Sequence, residues 1–215
     1  MAKRMQIDFV SDVVCPWCAI GLRGLETALQ KLDGEVEAEI HFQPFELNPQ
    51  MPAEGENRDE HIARKYGQSP EQTAAVRERI RERAASVGFT MSGAQDHIYN
   101  TFDAHRLLHW AGLEGRQPAL KHALLKAYFT DALDISDREV LVAKAAAAGL
   151  DPEAARDVLE SGRYAEDVRQ DEQSWLNAGI NSVPAVIVNR KYLISGGQPP
   201  EVFEESLRQI AAQAD

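Results

Sequence analysis

The chain has few cysteines, with only Cys15 and Cys18 in 215 residues. A structural zinc site usually takes four cysteine or histidine ligands, and no second cysteine pair exists to complete one. The spacing of His105 and His109 could place both on one helix face, but they lie far from the cysteines in the sequence. We therefore predict that the chain holds no metal.

An excess of basic residues and long apolar runs are also absent. The 23 Lys and Arg residues are outnumbered by 34 Asp and Glu residues, giving a net charge of −11. Nucleic acid and anionic membranes both attract basic surfaces, so neither is expected as a partner. No apolar signal-peptide core stands out, and no run is long enough for a membrane helix. We therefore expect a cytoplasmic protein in which any disulfide is transient.

The two cysteines form the motif Cys15-Pro16-Trp17-Cys18, between a strand-like run at 6–14 and a helical pattern. Unpaired N–H groups and the helix dipole favour a thiolate at such a junction. This context predicts thiol–disulfide chemistry, with Cys15 as the more exposed nucleophile and Cys18 as the resolving thiol. Asp8 and Asp12 are candidate proton acceptors, although solvated carboxylates at a strand edge are the simpler interpretation.

Hydrophobic periodicity predicts an α/β protein with a helical insertion. A strand at 6–14, a helix ending at Asp33-Gly34 and an alternating strand at 36–42 form a β-α-β unit with parallel strands. Strands at 184–188 and 192–195 form a hairpin, followed by a closing helix. Helical patterns fill the middle, which is too long to be a loop. The predicted parts are 1–56, the insertion 57–177, and 178–215.

Capping signals mark helix starts inside the insertion. Ser69-Pro70-Glu71-Gln72 and Ser136-Asp137-Arg138-Glu139 both predict a helix that begins with a serine-led capping box. A further helix is predicted from Tyr99 to Ala111.

Four stretches carry a resemblance to a known family: residues 11–18 (SDVVCPWC), 100–107 (NTFDAHRL), 179–185 (GINSVPA) and 194–199 (ISGGQP). On these stretches the chain resembles the DsbA-like thioredoxin-fold oxidoreductases. It is most similar to their cytoplasmic FrnE-like branch, which is related to 2-hydroxychromene-2-carboxylate isomerases and kappa-class glutathione transferases. The resemblance implies a thioredoxin fold with the large helical insertion between its βαβ and ββα units.

The resemblance also implies roles for individual residues. The Val183-Pro184 bond is expected to be cis and to face the dithiol, so that Pro184 belongs to the catalytic site. The backbone of Val183 would then pair with an extended substrate. Trp17 either contacts substrate and tunes the redox poise or simply covers a hydrophobic surface. Asn48, together with Ser195 and Gly196, lies where glutathione-dependent relatives hold the tripeptide; Asn48 is equally suited to a turn before Pro49.

His105 and Arg106 belong to the stretch that best marks the branch. His105 could serve acid–base chemistry, but a hydrogen-bonded helix residue that docks the insertion is the favoured interpretation.

The leading functional hypothesis is a DsbA-family thiol–disulfide oxidoreductase or isomerase acting on protein or small-molecule disulfides and thiols. The first alternative is a glutathione-dependent isomerase or transferase, whose relatives carry serine at the first motif position, whereas this chain keeps both cysteines. The second is a redox-controlled, chaperone-like binding module. We expect no tightly bound cofactor, with glutathione as the candidate co-substrate. The sequence leaves the substrate, the direction of catalysis and the oligomeric state open, a homodimer included.

Overall fold

The computed structural model describes residues 2–213. Its elements in chain order are β1 (Lys3–Ser11), α1 (Pro16–Lys31), β2 (Val36–Pro44), β3 (Glu56–Asn57), α2 (Arg58–Tyr66), α3 (Pro70–Ser86), β4 (His97–Ile98), α4 (Phe102–Leu113), α5 (Gln117–Phe129), α6 (Arg138–Ala147), α7 (Pro152–Ser161), α8 (Ala165–Asn177), β5 (Ala185–Val188), β6 (Tyr192–Ser195) and α9 (Pro200–Gln213).

A four-stranded sheet with the order β2-β1-β5-β6 forms the base of the molecule. Strand β1 runs parallel to β2 and antiparallel to β5, and β5 and β6 form the predicted hairpin. The parallel pair follows from the crossover helix α1, as the periodicity predicts. Strand β1 is central, so Ile7, Phe9 and Val10 are all fully buried. The predicted α/β fold with its helical insertion is confirmed.

The insertion, α2 to α8, lies between β2 and β5 in the chain. It is not purely helical, because β3 and β4 form a two-residue antiparallel ladder. A strand of two residues is too short to give an alternating pattern, so the sequence analysis missed it.

Two helix starts differ from the predictions, while the capping box at Ser69 is present as predicted. Helix α6 is capped by Asp137 rather than Ser136, since Asp137 accepts hydrogen bonds from the backbone N–H groups of Glu139 and Val140. Helix α4 begins at Phe102 and not at Tyr99, because the Asn100 side chain accepts a hydrogen bond from the Phe102 N–H at 2.9 Å.

The insertion is held against the outer edge of the sheet by Gln117. The Phe42 N–H donates to Gln117 Oε1 at 2.9 Å, and Gln117 Nε2 donates to the Phe42 carbonyl at 3.0 Å. The side-chain amide therefore pairs with β2 much as a neighbouring strand would. This pair fixes the position of α5 relative to β2. No helix among the described residues is long and apolar enough to cross a membrane.

Candidate active site

The dithiol lies at the start of α1. Cys15 is the N-cap residue, with extended backbone angles (φ −87°, ψ 113°), and Pro16 is the first helical residue. Cys15 is 3% exposed and Cys18 is fully buried, so Cys15 is the more exposed of the two, although both thiols lie largely out of solvent. Burial, reinforced by the neighbouring Cys15 sulfur, raises the pKa of the Cys18 thiol well above its ordinary value. Such a thiol suits the second step of disulfide exchange, since it stays protonated until it is needed.

The loop before β5 faces the dithiol. Cys15 Sγ lies 3.8 Å from the carbonyl oxygen of Val183. The Val183-Pro184 peptide bond is cis. The Pro184 carbonyl accepts a hydrogen bond from the Gly196 N–H at 2.8 Å, which joins this loop to the end of β6.

A cleft of about 810 Å³ opens in front of Cys15. We call it the dithiol cleft. Its walls come from the start of α1, the loop after β2, helices α2 and α3, the segment around β4, the end of α5 and the loop before β5. Trp17, Asn48 and Val183 line it, whereas Pro184, Ser195 and Gly196 lie outside its lining. Trp17 is 42% exposed, which leaves its ring accessible to a bound molecule.

Asn48 is oriented by α2. Its Oδ1 accepts a hydrogen bond from Lys65 Nζ at 2.7 Å and lies 3.1 Å from His61 Nε2. With the oxygen engaged in this way, the Nδ2 group is available to donate to a molecule in the cleft. The lining also carries Arg58 from α2 and Arg77 from α3, both paired with Asp59, so basic side chains border this part of the cleft.

Asp12 connects three segments behind the dithiol. Its Oδ1 accepts a hydrogen bond from the Val13 N–H at 2.8 Å and lies 3.2 Å from His105 Nε2, and its Oδ2 accepts one from the Leu47 N–H at 2.8 Å. Burial on its own would raise the pKa of Asp12, but His105 and the Leu47 N–H outweigh it and hold the pKa below its ordinary value. The carboxylate therefore stays ionised in the interior.

The interpretation of Asp8 and Asp12 as solvated carboxylates is wrong. Asp8 is 1% exposed and Asp12 is fully buried. Asp8 accepts a hydrogen bond from Gln43 Nε2 at 2.7 Å, which links β1 to β2. Both carboxylates lie on the central strand or directly after it, where the sheet and the insertion cover them.

The docking interpretation of His105 and Arg106 fits their contacts. His105 is 2% exposed and meets Asp12 across 93 residues of sequence. Arg106 donates to the carbonyls of Val158, Leu159 and Arg163, near the end of α7. These bonds satisfy carbonyl groups at a helix end that lack intrahelical partners. The stretch 100–107 thus holds the insertion together and against the thioredoxin-like part.

Lys121 is the buried residue at this site that the sequence analysis missed. It is 1% exposed, and its charge interacts with Cys18, Asp12 and Cys15. The available signal was a single lysine among Leu120, Leu124 and Leu125 on one helix. A single lysine on an apolar helix face usually lies at the edge of the buried surface, with its ammonium group in solvent. Only the tertiary structure shows that this lysine is buried.

The sheet, the helix that begins at a dithiol and the proline loop opposite together define a protein of the thioredoxin-fold class. The DSBA-like thioredoxin domain model matches residues 6–208, and the chain belongs to this family. The predicted family is therefore confirmed.

Three solved structures give the range of similarity. A probable DsbA oxidoreductase from Streptomyces coelicolor is 36% identical, with a TM-score of 0.92 over 98% of this chain and 91% of that one. A 2-hydroxychromene-2-carboxylate isomerase is 16% identical, with a TM-score of 0.72 over 97% of both chains. The cytosolic disulfide reductase DsbM from Pseudomonas aeruginosa, solved with glutathione (GSH), is 15% identical, with a TM-score of 0.66 over 96% of this chain and 99% of that one. The last two similarities concern the fold alone.

Gly197 marks the closest approach between the loop after β6 and α1. A Cβ atom at Gly197 would lie 2.6 Å from the Trp17 carbonyl oxygen, so Gly197→Ala requires the backbone to shift. We expect the free energy of unfolding of this variant to be about 1–3 kcal/mol lower than that of the parent, which is the usual cost of overpacking a close contact. Urea unfolding measures the change.

Gly112→Ala is the matched control, because a Cβ there would lie at an ordinary contact distance, 3.4 Å, from the Gln117 side-chain amide. Gly112 lies inside α4, where alanine is favoured over glycine. If Gly197→Ala proved as stable as Gly112→Ala, the close packing of this loop on α1 would be refuted.

Proposed function

We propose that this protein is a thiol–disulfide oxidoreductase or isomerase that uses Cys15 and Cys18 on protein or small-molecule disulfides. The observation that carries the proposal is the pair of buried thiols at the start of α1, with Cys15 Sγ 3.8 Å from the Val183 carbonyl at the edge of an open cleft. Among the described residues no group of histidine, cysteine and acidic side chains is arranged to hold a metal ion.

The reaction proceeds through a mixed disulfide. The Cys15 thiolate attacks one substrate sulfur, and a Cys15–substrate disulfide forms. The other substrate sulfur leaves with the electron pair of the broken bond and takes up a proton. Cys18 then loses its proton and attacks Cys15 Sγ, which releases the substrate thiol and leaves a Cys15–Cys18 disulfide. An external thiol returns the pair to the reduced state by the same chemistry.

The cleft residues take supporting roles in this proposal. The Val183 backbone pairs with an extended substrate, and Trp17 provides an accessible apolar surface beside the sulfurs. Pro184, which has no backbone N–H, holds the loop without competing for the substrate. Because Ser195 and Gly196 lie outside the cleft lining, their proposed contact with substrate has less support than those of Trp17 and Val183.

Glutathione is the proposed co-substrate. The Nδ2 group of Asn48 and the basic side chains of the lining, Arg58 among them, suit the carboxylates of this tripeptide. The DsbM structure with GSH supports the same choice. The alternative function, a glutathione-dependent isomerase or transferase, uses the same cleft, but both cysteines favour redox chemistry. A cytoplasmic location and membership of the FrnE-like branch are further parts of this proposal.

An insulin-reduction assay with dithiothreitol tests the proposed function. We expect the protein to accelerate precipitation of the insulin B chain, because its dithiol exchanges faster than dithiothreitol alone. A Cys15→Ser/Cys18→Ser variant is the control and should match the rate without enzyme. If the parent gave no acceleration but titration calorimetry showed glutathione binding, the result would favour the isomerase or transferase over the oxidoreductase.

A further inference from the structure

Lys121 is a buried cation without an ion-pair partner among residues 2–213. It is 1% exposed. The carboxylate whose charge acts on it through the interior, Asp12, is already engaged by His105 and two backbone N–H groups. An ammonium group taken out of water without a paired anion lowers stability, and an uncharged side chain of similar size would avoid that cost. The Lys121 charge is therefore suited to an anion from outside the chain.

A second cleft, with a volume of about 270 Å³, reaches Lys121 at the outer edge of β2. We call it the β2-edge cleft. Residues of β2, α4, α5 and α8 form it, and it shares no lining residue with the dithiol cleft. Phe42 lines it together with Lys121, and Lys121 Nζ lies 5.7 Å from the centroid of the Phe42 ring. The ammonium group therefore lies at the wall of a cavity that is separate from the dithiol cleft.

The amide side chains of the β2-edge cleft are already engaged by the protein, whereas the ammonium group is not. Gln117 pairs with the Phe42 backbone, and Gln43 donates to Asp8 at 2.7 Å. Lys121 forms no hydrogen bond within the part of the chain that the structure describes. A charged group with three N–H donors is thus the strongest unused binding group in this cleft.

The other charges of the lining favour a singly charged anion. His41 Nε2 lies 3.4 Å from Glu39 and His109 Nδ1 lies 3.5 Å from Asp171, so one nitrogen of each ring remains without a partner among the described residues. Asp171 is the one aspartate or glutamate among the lining residues. A doubly charged anion such as phosphate would meet one ammonium group and an opposing carboxylate, which disfavours it relative to a monoanion.

The rest of the lining is apolar and includes Phe42, Pro44, Leu108 and Leu113. An apolar wall beside one cation suits a molecule with a charged end and a short hydrocarbon body, because a hydrated inorganic ion would gain nothing from that wall. The cleft volume of about 270 Å³ also limits the occupant to a small molecule.

We propose that the β2-edge cleft is a binding site for a small free monocarboxylate, whose carboxylate pairs with the Lys121 ammonium group and whose hydrocarbon chain packs against Phe42, Leu108 and Leu113. The site is separate from the dithiol cleft, so the inference does not rest on the proposed function. Binding is non-covalent, and the carboxylate supplies the counter-ion that the chain itself does not provide to Lys121.

Butyrate is the probe, and butyramide, which has the same shape without the charge, is the control ligand. Two-dimensional amide NMR spectra of the isotopically labelled, reduced protein report on the site through the side-chain amides of Gln43 and Gln117. We expect butyrate to shift these signals saturably, with a dissociation constant of about 1–10 mM, as befits a small ligand with one charge. Butyramide and inorganic phosphate should not give a saturable shift of the same signals.

Lys121→Met should weaken butyrate binding by about tenfold or more, because the charge-assisted hydrogen bond to the carboxylate is lost. Methionine fills a similar volume, so the shape of the cleft is kept.

Lys126→Met is the matched control. It makes the same substitution on the same helix, but Lys126 is solvent-exposed, paired with Asp131 and outside the lining of the β2-edge cleft. This variant should bind butyrate with the affinity of the parent.

Leu113→Glu provides the test if Lys121→Met does not fold. Leu113 is 66% exposed and lines the cleft, so a carboxylate there is tolerated by the fold and should weaken butyrate binding about threefold by repulsion. Leu176→Glu adds the same charge at another exposed leucine, at the end of α8 and outside the lining, and should leave the affinity unchanged.

Three results would overturn the proposal. The first is equal affinity for butyrate in the parent and a folded Lys121→Met variant, or in Leu113→Glu and Leu176→Glu. The second is equal binding of butyrate and butyramide by the parent. The third is a set of saturable shifts confined to residues of the dithiol cleft, such as Trp17 and Asn48, which would assign the acid to the other cleft. None of these results bears on the thiol–disulfide reaction, which the insulin assay tests separately.

Discussion

Cys15→Ser should reduce disulfide reductase activity to the rate without enzyme. The hydroxyl of serine cannot form a mixed disulfide, and Cys18 is fully buried, so it cannot take over the attack. The insulin assay with dithiothreitol measures the loss.

Cys18→Ser is the reciprocal variant. Cys15 remains in the cleft and still attacks, but no second thiol resolves the product, so mixed disulfides should accumulate with substrate or glutathione. Non-reducing mass spectrometry should detect one adduct per chain on Cys18→Ser and none on Cys15→Ser. Near-normal turnover by Cys15→Ser, or adducts located on Cys18 in the parent, would show that the order of the two cysteines is wrong.

Asp12→Ala should lower the free energy of unfolding at pH 7 by about 3–5 kcal/mol. The substitution leaves His105 and the Leu47 N–H buried without their acceptor. The pKa of Asp12 is lower in the folded protein than in the unfolded chain. Its contribution is therefore present above the unfolded value of about 3.9 and is lost as the pH falls through the folded value. The difference between parent and variant should shrink below about pH 4.

Urea unfolding of both proteins across this pH range measures the effect. Asp33→Ala, at an exposed turn after α1, is the control and should change stability by less than about 0.5 kcal/mol. A double-mutant cycle with His105→Ala isolates the contribution of that pair. A loss near 1 kcal/mol for Asp12→Ala, independent of pH, would contradict the role given to this carboxylate.

The redox motif and the parallel pairing of β1 with β2 could be predicted because both follow from local sequence. Alternation at 36–42 marks a strand, and the crossover helix then requires β1 and β2 to be parallel. The cap at Ser69 is likewise local. Asp137 replaces Ser136 as the cap of α6 because both residue types can fill that position, and packing selects between them.

The electrostatic environment of the dithiol could not be predicted in the same way. His105 and Asp12 are separated by 93 residues, and Lys121 comes from a third segment. Whether an acidic residue beside a strand is solvated or buried depends on which surface the insertion covers. The local sequence pattern does not indicate that surface. The reacting sulfurs could therefore be identified from the sequence, whereas the charged residues around them could be identified only from the tertiary structure.

Gln117 has a consequence for how the molecule associates with other chains. A strand at the edge of a sheet presents unpaired backbone groups to which a foreign β-strand can bind, the usual start of aggregation or domain swapping. At β2 the Gln117 amide already occupies the outward N–H and carbonyl of Phe42, and Pro44 has no N–H to offer. The helical insertion therefore protects this edge against self-association as well as enclosing the site. A foreign strand pairing at Phe42 would first have to displace this amide.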